Sequence, residues 1–249
     1  MTNIIFNGQT DIGRVRSTNQ DSICLAPKHN FFAVADGMGG HNGGDIASQM
    51  SVKLLKQYFE KIETTDDPIK TLKTSIKQVN SGIYQHAQKN EELIGMGTTI
   101  VSAFVSNNKI YMANIGDSRA YLFKNNQLFQ LTKDHSLVQE KLNLGIYDRE
   151  AAKKDKQKNV LVRTVGFEEK VEPDIYQFKY QSGDVIMLCS DGLHGKVSDP
   201  DILYLLASEL QNSKNTTEEE LKKCVSRLIE QANNNGGNDN ISVILMKIL

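Results

Sequence analysis

Four aspartates lie where apolar segments meet turn residues, and their carboxylates could do chemistry together. Asp36 and Asp191 each follow an apolar run and precede a glycine. Asp117 follows Gly116, and Asp239 lies just before another apolar run. Asp-Gly and Gly-Asp pairs are ordinary turn pairs, so any one of these residues taken alone is more often structural than functional. Small and polar neighbours around all four let a ligand approach the backbone closely, which favours a shared carboxylate cluster.

A cluster of carboxylates needs a compensating cation, because several neighbouring negative charges cannot all persist without one. Oxygen ligands, with no Cys or His at zinc-like spacing, favour Mg²⁺ or Mn²⁺ over Zn²⁺. Two such ions about 3.5 to 4 Å apart would activate a water and neutralise the charge that develops on a phosphoryl group. The pattern therefore indicates hydrolysis of phosphate esters.

Arg16 is a candidate for binding the substrate phosphate. It lies five residues before Asp21 in the sequence RSTNQD. A guanidinium group meets phosphate in a planar fork, which suits this task. A single arginine is more often a plain surface charge, and spacing alone leaves both interpretations open.

The apolar pattern predicts the strands and helices that would position these residues. Short runs rich in β-branched residues predict strands at 31–35, 98–105, 110–115, 120–123, 185–189 and 241–248. Apolar residues spaced by three and four predict helices over 69–87, 47–58 and 221–232, and a shorter one that opens at 199–200. Asp67-Pro68 suits the first of these as cap and first turn, and Thr217 with Glu220 forms a capping-box pattern.

The order of these elements predicts an α+β fold. Turn residues at 116–118 and 124–126 divide 109–131 into three short strands, which indicates an antiparallel meander. The helices come in groups, so the natural arrangement is helices outside two packed sheets. With 249 residues and no sharp change in composition, we expect a single domain over 1–249.

Composition excludes several classes of partner. The chain has 29 basic and 30 acidic residues without a basic stripe, so we expect no nucleic acid. The apolar runs are far shorter than the roughly 20 residues that cross a bilayer, and no signal-peptide pattern is present. The 3 cysteines are widely spaced, which favours reduced thiols and a cytoplasmic protein.

Six ordered motifs then carry a family resemblance that runs from about residue 8 to 248. They are RSTNQD at 16–21, VADGMGGH at 34–41, GTT at 97–99, IGDSR at 115–119, LCSDGL at 188–193 and GNDNIS at 237–242. Together they resemble the PPM, or PP2C-type, serine/threonine protein phosphatases in their short bacterial form. The resemblance implies metal-dependent hydrolysis of phosphoserine and phosphothreonine in proteins. It also implies a four-layer αββα sandwich, in which two antiparallel sheets are flanked by helices.

The resemblance implies a metal centre with two Mn²⁺ or Mg²⁺ ions and a weaker third. Asp36, Asp191 and Asp239 would ligate the central pair, and the carbonyl of Gly37 would complete one ion. Asp117 would belong to the third site, beside Asp191.

Three further residues receive catalytic roles through the resemblance. Arg16 would bind the substrate phosphate, and Asp21 would support the metals through water. Eukaryotic members carry a histidine directly after the Asp-Gly pair, where this chain has Met38. His41 is the nearest replacement as general acid, with a plain loop histidine as the alternative.

The implied partners are phosphorylated proteins, including a Ser/Thr kinase whose signalling the enzyme would reverse, and we expect a monomer. The polar segment 143–159, which carries four lysines, is interpreted as a flap that selects among phosphoproteins. Two alternatives stay open at this point. One is a non-catalytic regulatory member of the same fold, and the other is a metal-dependent phosphodiesterase or nuclease.

Overall fold

The computed structural model describes residues 4–38, 43–62, 65–148, 151–152, 155–210 and 216–249. The elements bounded within these ranges are eleven β-strands and six α-helices, and the strands form two antiparallel sheets. No helix among the described residues combines the length and apolar character needed to cross a membrane.

The first sheet contains the two strands at the ends of the chain. Its strands, in spatial order, are β1 (Ile4–Asp11), β11 (Ile241–Ile248), β10 (Val185–Cys189), β7 (Arg119–Lys124) and β8 (Gln127–Gln130). The last strand, β11, therefore lies between β1 and β10.

The second sheet contains the remaining long strands. Its order is β2 (Asp21–Ala26), β3 (Phe31–Met38), β5 (Ile100–Ser106), β6 (Lys109–Ile115) and β9 (Asp174–Lys179), while the short β4 (Gly97–Thr98) pairs with the end of β3. The helices are α1 (Gly44–Glu60), α2 (Pro68–Gln88), α3 (Leu137–Asn143), α4 (Asp191–His194), α5 (Asp199–Glu209) and α6 (Glu218–Asn234).

Three apolar cores separate four layers. Along β3, Phe31 and Ala33 pack in the core that includes α1 and α2, while Phe32 and Val34 pack in the core between the sheets. This alternation is the period-two pattern of a strand buried on both faces. The third core joins the first sheet to α5 and α6. The predicted αββα sandwich is confirmed.

The predicted helix starts are also confirmed by their caps. The side chain of Asp67 accepts from the backbone N–H of Lys70, with Pro68 in the first turn. Thr217 and Glu220 form both bonds of a capping box at the start of α6. These bonds satisfy backbone N–H groups that a helix start otherwise leaves without partners.

The predicted meander over 109–131 is wrong at its first turn. β6 pairs with β5 and β9 in the second sheet, whereas β7 pairs with β10 and β8 in the first. Residues 116–118 therefore pass from one sheet to the other. The second turn is a true hairpin, in which Asn125 and Asn126 have φ values of 50° and 57°. Residues of β6 pack in two different cores, and this burial on both faces fixes the strand between β5 and β9.

Candidate active site

Asp36 lies near the end of β3, where the backbone is held by the two threonines of the GTT motif. Its N–H donates to Thr99 Oγ1 at 3.1 Å, and its carbonyl accepts from Thr98 Oγ1 at 2.9 Å. The next residue, Gly37, can have no side chain, because a Cβ there would lie 2.0 Å from the carbonyl oxygen of Gly44. The close approach of α1 thus sets the position of the Asp36-Gly37 pair.

Asp191 and Asp239 arrive from the other sheet. Asp191 is the first residue of α4 and is separated from β10 only by Ser190, and Asp239 precedes β11, the neighbour of β10. The two segments touch, since a Cβ on Gly192 would lie 1.9 Å from the carbonyl oxygen of Asn240. Adjacent strands therefore deliver these two carboxylates to the same edge.

Asp117 lies in the passage between the sheets. Gly116 has a φ of +98°, and a Cβ there would lie 2.5 Å from the methyl group of Thr99. The hydroxyls of Thr99 and Ser118 are 2.7 Å apart and share a hydrogen bond. The segment that carries Asp117 is thereby fixed to the segment that holds Asp36.

One cavity of about 470 Å³ collects these residues between the two sheet edges. Six of the predicted site residues line it: Arg16, Asp36, Gly37, Asp117, Asp191 and Asp239. Asp21 lies next to this wall, because it is the register partner of Asp36 across β2 and β3, and it is only 5% exposed. His41 lies outside the described residues.

Asp21 is a buried carboxylate with one unsatisfied oxygen. Ser190 Oγ donates to its Oδ2 at 2.7 Å, whereas Oδ1 is buried without a hydrogen-bond partner. Burial, helped by the charge of Asp191 and opposed by hydrogen bonds from Ser190 and Ser242, raises the pKa of Asp21 to about 7. Such an orphaned oxygen beside other carboxylates suits a bound water or cation.

Asp36, Asp191 and Asp117 also resist ionisation. Burial, followed by the charges of Asp21 and Asp191, raises the pKa of Asp36 well above its usual value. Burial and then Asp239 raise the pKa of Asp191 to about 6, and burial and then Asp191 raise that of Asp117 to about 8. The site therefore stores electrostatic repulsion that a cation would relieve.

Arg16 stands at the rim of the cavity. Its Nη2 donates to Asp239 Oδ2 at 2.8 Å, and about half of its side chain is exposed. A guanidinium in this place can reach both a carboxylate of the site and an anion that enters from solvent.

Comparison with known proteins decides the family. The family model of Protein phosphatase 2C matches residues 10–141. The chain is 40% identical over 245 residues to the serine/threonine phosphatase stp of Listeria innocua serovar 6a, covering 96% of this chain and 94% of the relative. The chain belongs to the protein phosphatase 2C family.

Solved structures agree with this assignment. The crystal structure of the Mycobacterium tuberculosis serine/threonine phosphatase PstP matches this phosphatase with a TM-score of 0.88 at 32% identity, covering 99% of each chain. A PstP catalytic domain in complex with two manganese ions matches with a TM-score of 0.87 at 32% identity, covering 100% of each chain. This phosphatase accordingly catalyses metal-dependent hydrolysis of phosphoserine and phosphothreonine in proteins. The nuclease and non-catalytic alternatives are thereby rejected.

The residues of this phosphatase suit a hard divalent ion bound largely by water. Within the described part of the chain, no group of three or more His, Cys, Asp or Glu side chains is arranged to hold a metal ion directly. Mg²⁺ is usually held by only one or two carboxylates and keeps several of its waters, so an open arrangement of separate carboxylates is compatible with it. The raised pKa values and the orphaned Asp21 Oδ1 both indicate that a cation belongs here.

Other titratable groups near the cavity are structural. His135 Nδ1 accepts from the Gly116 N–H at 3.2 Å, and His194 Nε2 donates to the Asp117 carbonyl at 3.0 Å. Both histidines therefore have hydrogen-bond partners within the fold. Cys189 is a buried thiol whose pKa is raised by burial, as expected of a core residue.

Sequence reasoning missed several residues that complete the site. Ser190 bridges the two sheets, since its Oγ donates to Asp21 and accepts from the Ser242 N–H at 3.0 Å. Asn159 and Leu161 line the cavity from the end of the segment interpreted as a flap. The motif LCSDGL contains Ser190, so its position was visible in the sequence, although its partner was not.

Proposed function

We propose that Asp36, Asp191 and Asp239 ligate two central Mn²⁺ or Mg²⁺ ions, with the carbonyl of Gly37 as a further ligand. Asp117, beside Asp191, belongs to a weaker third site. The observation that carries this assignment is that the four carboxylates line one cavity together with Arg16. The two manganese ions in the matched PstP catalytic domain support a central pair.

When bound, the metal ions supply Lewis acidity that activates a water and neutralises charge on the phosphoryl group. The chain supplies orientation. The guanidinium of Arg16 exchanges its bond to Asp239 for the phosphate of the substrate and holds that phosphate in the cavity. Asp21, which Ser190 fixes through Oδ2, keeps Oδ1 available to accept a hydrogen bond from a water in the cavity.

His41 is proposed as the group that protonates the leaving oxygen. The support is its place in the sequence, five residues after Asp36. A histidine titrates near neutral pH and can therefore donate a proton to an alkoxide that departs from phosphorus.

The biological setting follows from the reaction. The substrates are phosphoproteins, and a Ser/Thr kinase must add the phosphoryl groups that this phosphatase removes. We further propose that the protein is cytoplasmic and monomeric. We also propose that residues 1–249 act as one domain, because the core between the two sheets joins both halves of the chain.

Phosphate release from peptides tests this function directly. Phosphothreonine, phosphoserine and phosphotyrosine peptides are incubated with Mn²⁺, Mg²⁺, Ca²⁺ or a chelator. We expect rapid release from the first two peptides with Mn²⁺ or Mg²⁺, and none with chelator. Full activity in chelator, or a preference for phosphotyrosine, would contradict the proposal.

A further inference from the structure

The loop that carries Arg16 is pressed against the segment that carries Asp239. The loop, residues 12–20, links β1 to β2. The Arg14 N–H donates to the Gly237 carbonyl at 2.7 Å. Gly13 has a φ of +84°, and a Cβ there would lie 2.3 Å from the carbonyl oxygen of Asp239. The beginning of the loop therefore follows the backbone of the 237–239 segment closely.

Asn240 fastens both ends of the same loop with one side chain. Its Nδ2 donates to the Ile12 carbonyl at 2.9 Å and to the Thr18 carbonyl at 3.0 Å. Its Oδ1 accepts from the Gln20 N–H at 2.8 Å. Asn240 itself is only 4% exposed, and its three bonds are partly buried. Arg16 stands between the fastened positions.

These contacts connect the Arg16 loop to the Asp239 segment, and the reaction requires these two groups at a fixed distance from each other. Asn240 follows Asp239 directly, and its own N–H donates to Asp239 Oδ1 at 3.0 Å. Asp239 is therefore a candidate metal ligand, and Asn240 fixes the loop that carries Arg16, the candidate phosphate clamp. A small displacement of a positioning group can reduce a rate by as much as about 100-fold.

We propose that Asn240 is a positioning residue that sets the distance between the Arg16 guanidinium and the metal centre. It touches no reacting atom and acts through Arg16. The inference rests on the proposed role of Arg16 as the phosphate clamp. Without the Asn240 side chain, the loop loses three bonds, and Arg16 spends less time in the position that binds phosphate.

Asn80 offers a matched control for a purely structural asparagine. It is 1% exposed in α2. Its Nδ2 donates to the carbonyls of Glu168 and Glu169, each at 3.0 Å, and its Oδ1 accepts from the Gly166 N–H at 2.7 Å. The bonding pattern is the same as that of Asn240, but the loop that it fastens is a different one. Asn80→Ala should therefore lower thermal stability without changing the affinity for phosphate.

The test is a double-mutant cycle between Asn240→Ala and Arg16→Ala. It measures KM and kcat on a phosphothreonine peptide, and the inhibition constant of inorganic phosphate. We expect Asn240→Ala to raise KM and the phosphate inhibition constant roughly 10-fold with a smaller change in kcat, which corresponds to the loss of a well-placed charge-assisted bond. In the Arg16→Ala background, the same substitution should change neither constant more than about twofold, because interacting residues are non-additive.

The outcomes separate this inference from the proposed function. If Arg16→Ala leaves KM and phosphate inhibition unchanged, the clamp role of Arg16 fails. If Arg16→Ala has its effect and Asn240→Ala has an equal effect in both backgrounds, Asn240 does not act through Arg16 and the inference is wrong. Should Asn240→Ala not fold, Asn240→Asp keeps the volume and the acceptor for Gln20 but loses both donated bonds, and it is read by the same cycle. Calorimetry with Mn²⁺ should give Asn240→Ala the metal affinity of the unmodified protein, and a large loss of metal affinity would also overturn the proposal.

Discussion

The Arg16 guanidinium donates to the Asp239 carboxylate at 2.8 Å across 223 positions of sequence. The pair lies at the rim, with about half of Arg16 and a third of Asp239 exposed. A fixed cation thus occupies a carboxylate that we assign to the metal centre. The Arg16–Asp239 contact must therefore change when metal and phosphate bind. Substitutions at these two residues can thus distinguish metal binding from phosphate binding.

Arg16→Ala should raise KM for a phosphopeptide roughly 10- to 100-fold, and should change kcat less, because a phosphate clamp acts in ground and transition states alike. Metal affinity should be equal or higher, since the competing charge on Asp239 is gone. Steady-state kinetics and calorimetry measure the two effects. Arg14→Ala, two residues away, is the control, and equal effects in both variants would contradict a specific role.

Asp191→Ala and Asp239→Ala should each lower turnover by several orders of magnitude while the fold persists. Burial already raises the pKa of Asp191 to about 6, so its removal relieves repulsion in the metal-free protein and should not lower the thermal midpoint at pH 8. Circular dichroism and phosphate release measure these effects. The exposed Asp201→Asn on α5 is the control, and near-normal activity in either folded site variant would exclude the metal assignment.

Asp117→Ala should separate the metal sites. Asp117 enters the cavity from the passage between the sheets, apart from the Asp36 strand and the Asp191 helix. Calorimetric titration with Mn²⁺ should keep its tight phase and lose its weak phase. Loss of the tight phase would place Asp117 in the central pair.

The lysines of segment 143–159 should influence the choice of phosphoprotein rather than the chemistry. Lys153 and Lys154 lie outside the described residues, whereas the charge of Lys158 is close enough to Asp191 to oppose in part the rise in pKa that burial causes there. Changing Lys153, Lys154, Lys156 and Lys158 to Gln should alter the ranking of phosphopeptides and the salt dependence of kcat/KM.

Hydrolysis of a small chromogenic phosphate ester measures the catalytic step without any contribution from peptide binding. Its rate should stay nearly unchanged in this lysine variant. Lys70→Gln with Lys73→Gln on the exposed face of α2 is the control. Equal losses on peptide and ester would mean that the segment supports the catalytic centre itself.

His194 should make the fold sensitive to acid. Burial lowers its pKa to about 3, while the unfolded chain has the ordinary value near 6.5. Below pH 6.5 the unfolded state therefore binds a proton at His194 that the folded state does not bind. The free energy of unfolding consequently falls as pH drops from about 6.5 towards 3. His194→Gln can still donate to the Asp117 carbonyl, and it should flatten this dependence by up to about 1.4 kcal/mol per pH unit. Urea unfolding at pH 7 and pH 5 measures the difference, with His29→Gln as the control, and an unchanged slope would contradict the assignment.

The local parts of the fold were predictable because each is encoded within a short window. Periodicity located α2 to within one residue and α6 to within three, and the caps at Asp67 and Thr217 lie where the sequence indicated. The half-exposed strands β1 and β9 have at most a short apolar stretch, such as Ile4 to Phe6, among polar residues, so their pattern did not identify them. Pairing partners were not predictable either, as the passage at 116–118 demonstrates, because a short turn can lead to a neighbour in the same sheet or to the opposite sheet.

The candidate site likewise has local features that the sequence predicts and distant contacts that it does not. The aspartates were recognisable from their turns and motifs, and the structure brings them into one cavity. The contacts that hold them depend on distant segments, such as Ser190 against Asp21 and Asn240 against the Arg16 loop. No local pattern encodes a partner 169 or 222 positions away.

The central place of β11 has a consequence for the synthesis of the protein. Chains leave the ribosome from the N-terminal end, at about 5 to 20 residues per second, so the strand that lies between β1 and β10 is made after the other ten described strands. Until it arrives, β1 has no partner in the first sheet, and the Asp239 segment cannot reach the half of the cavity that contains Asp36. If Asp239 is a metal ligand as proposed, a growing chain should not hydrolyse the phosphoproteins around it. We expect activity only after all of β11 (Ile241–Ile248) has been synthesised and has inserted between β1 and β10.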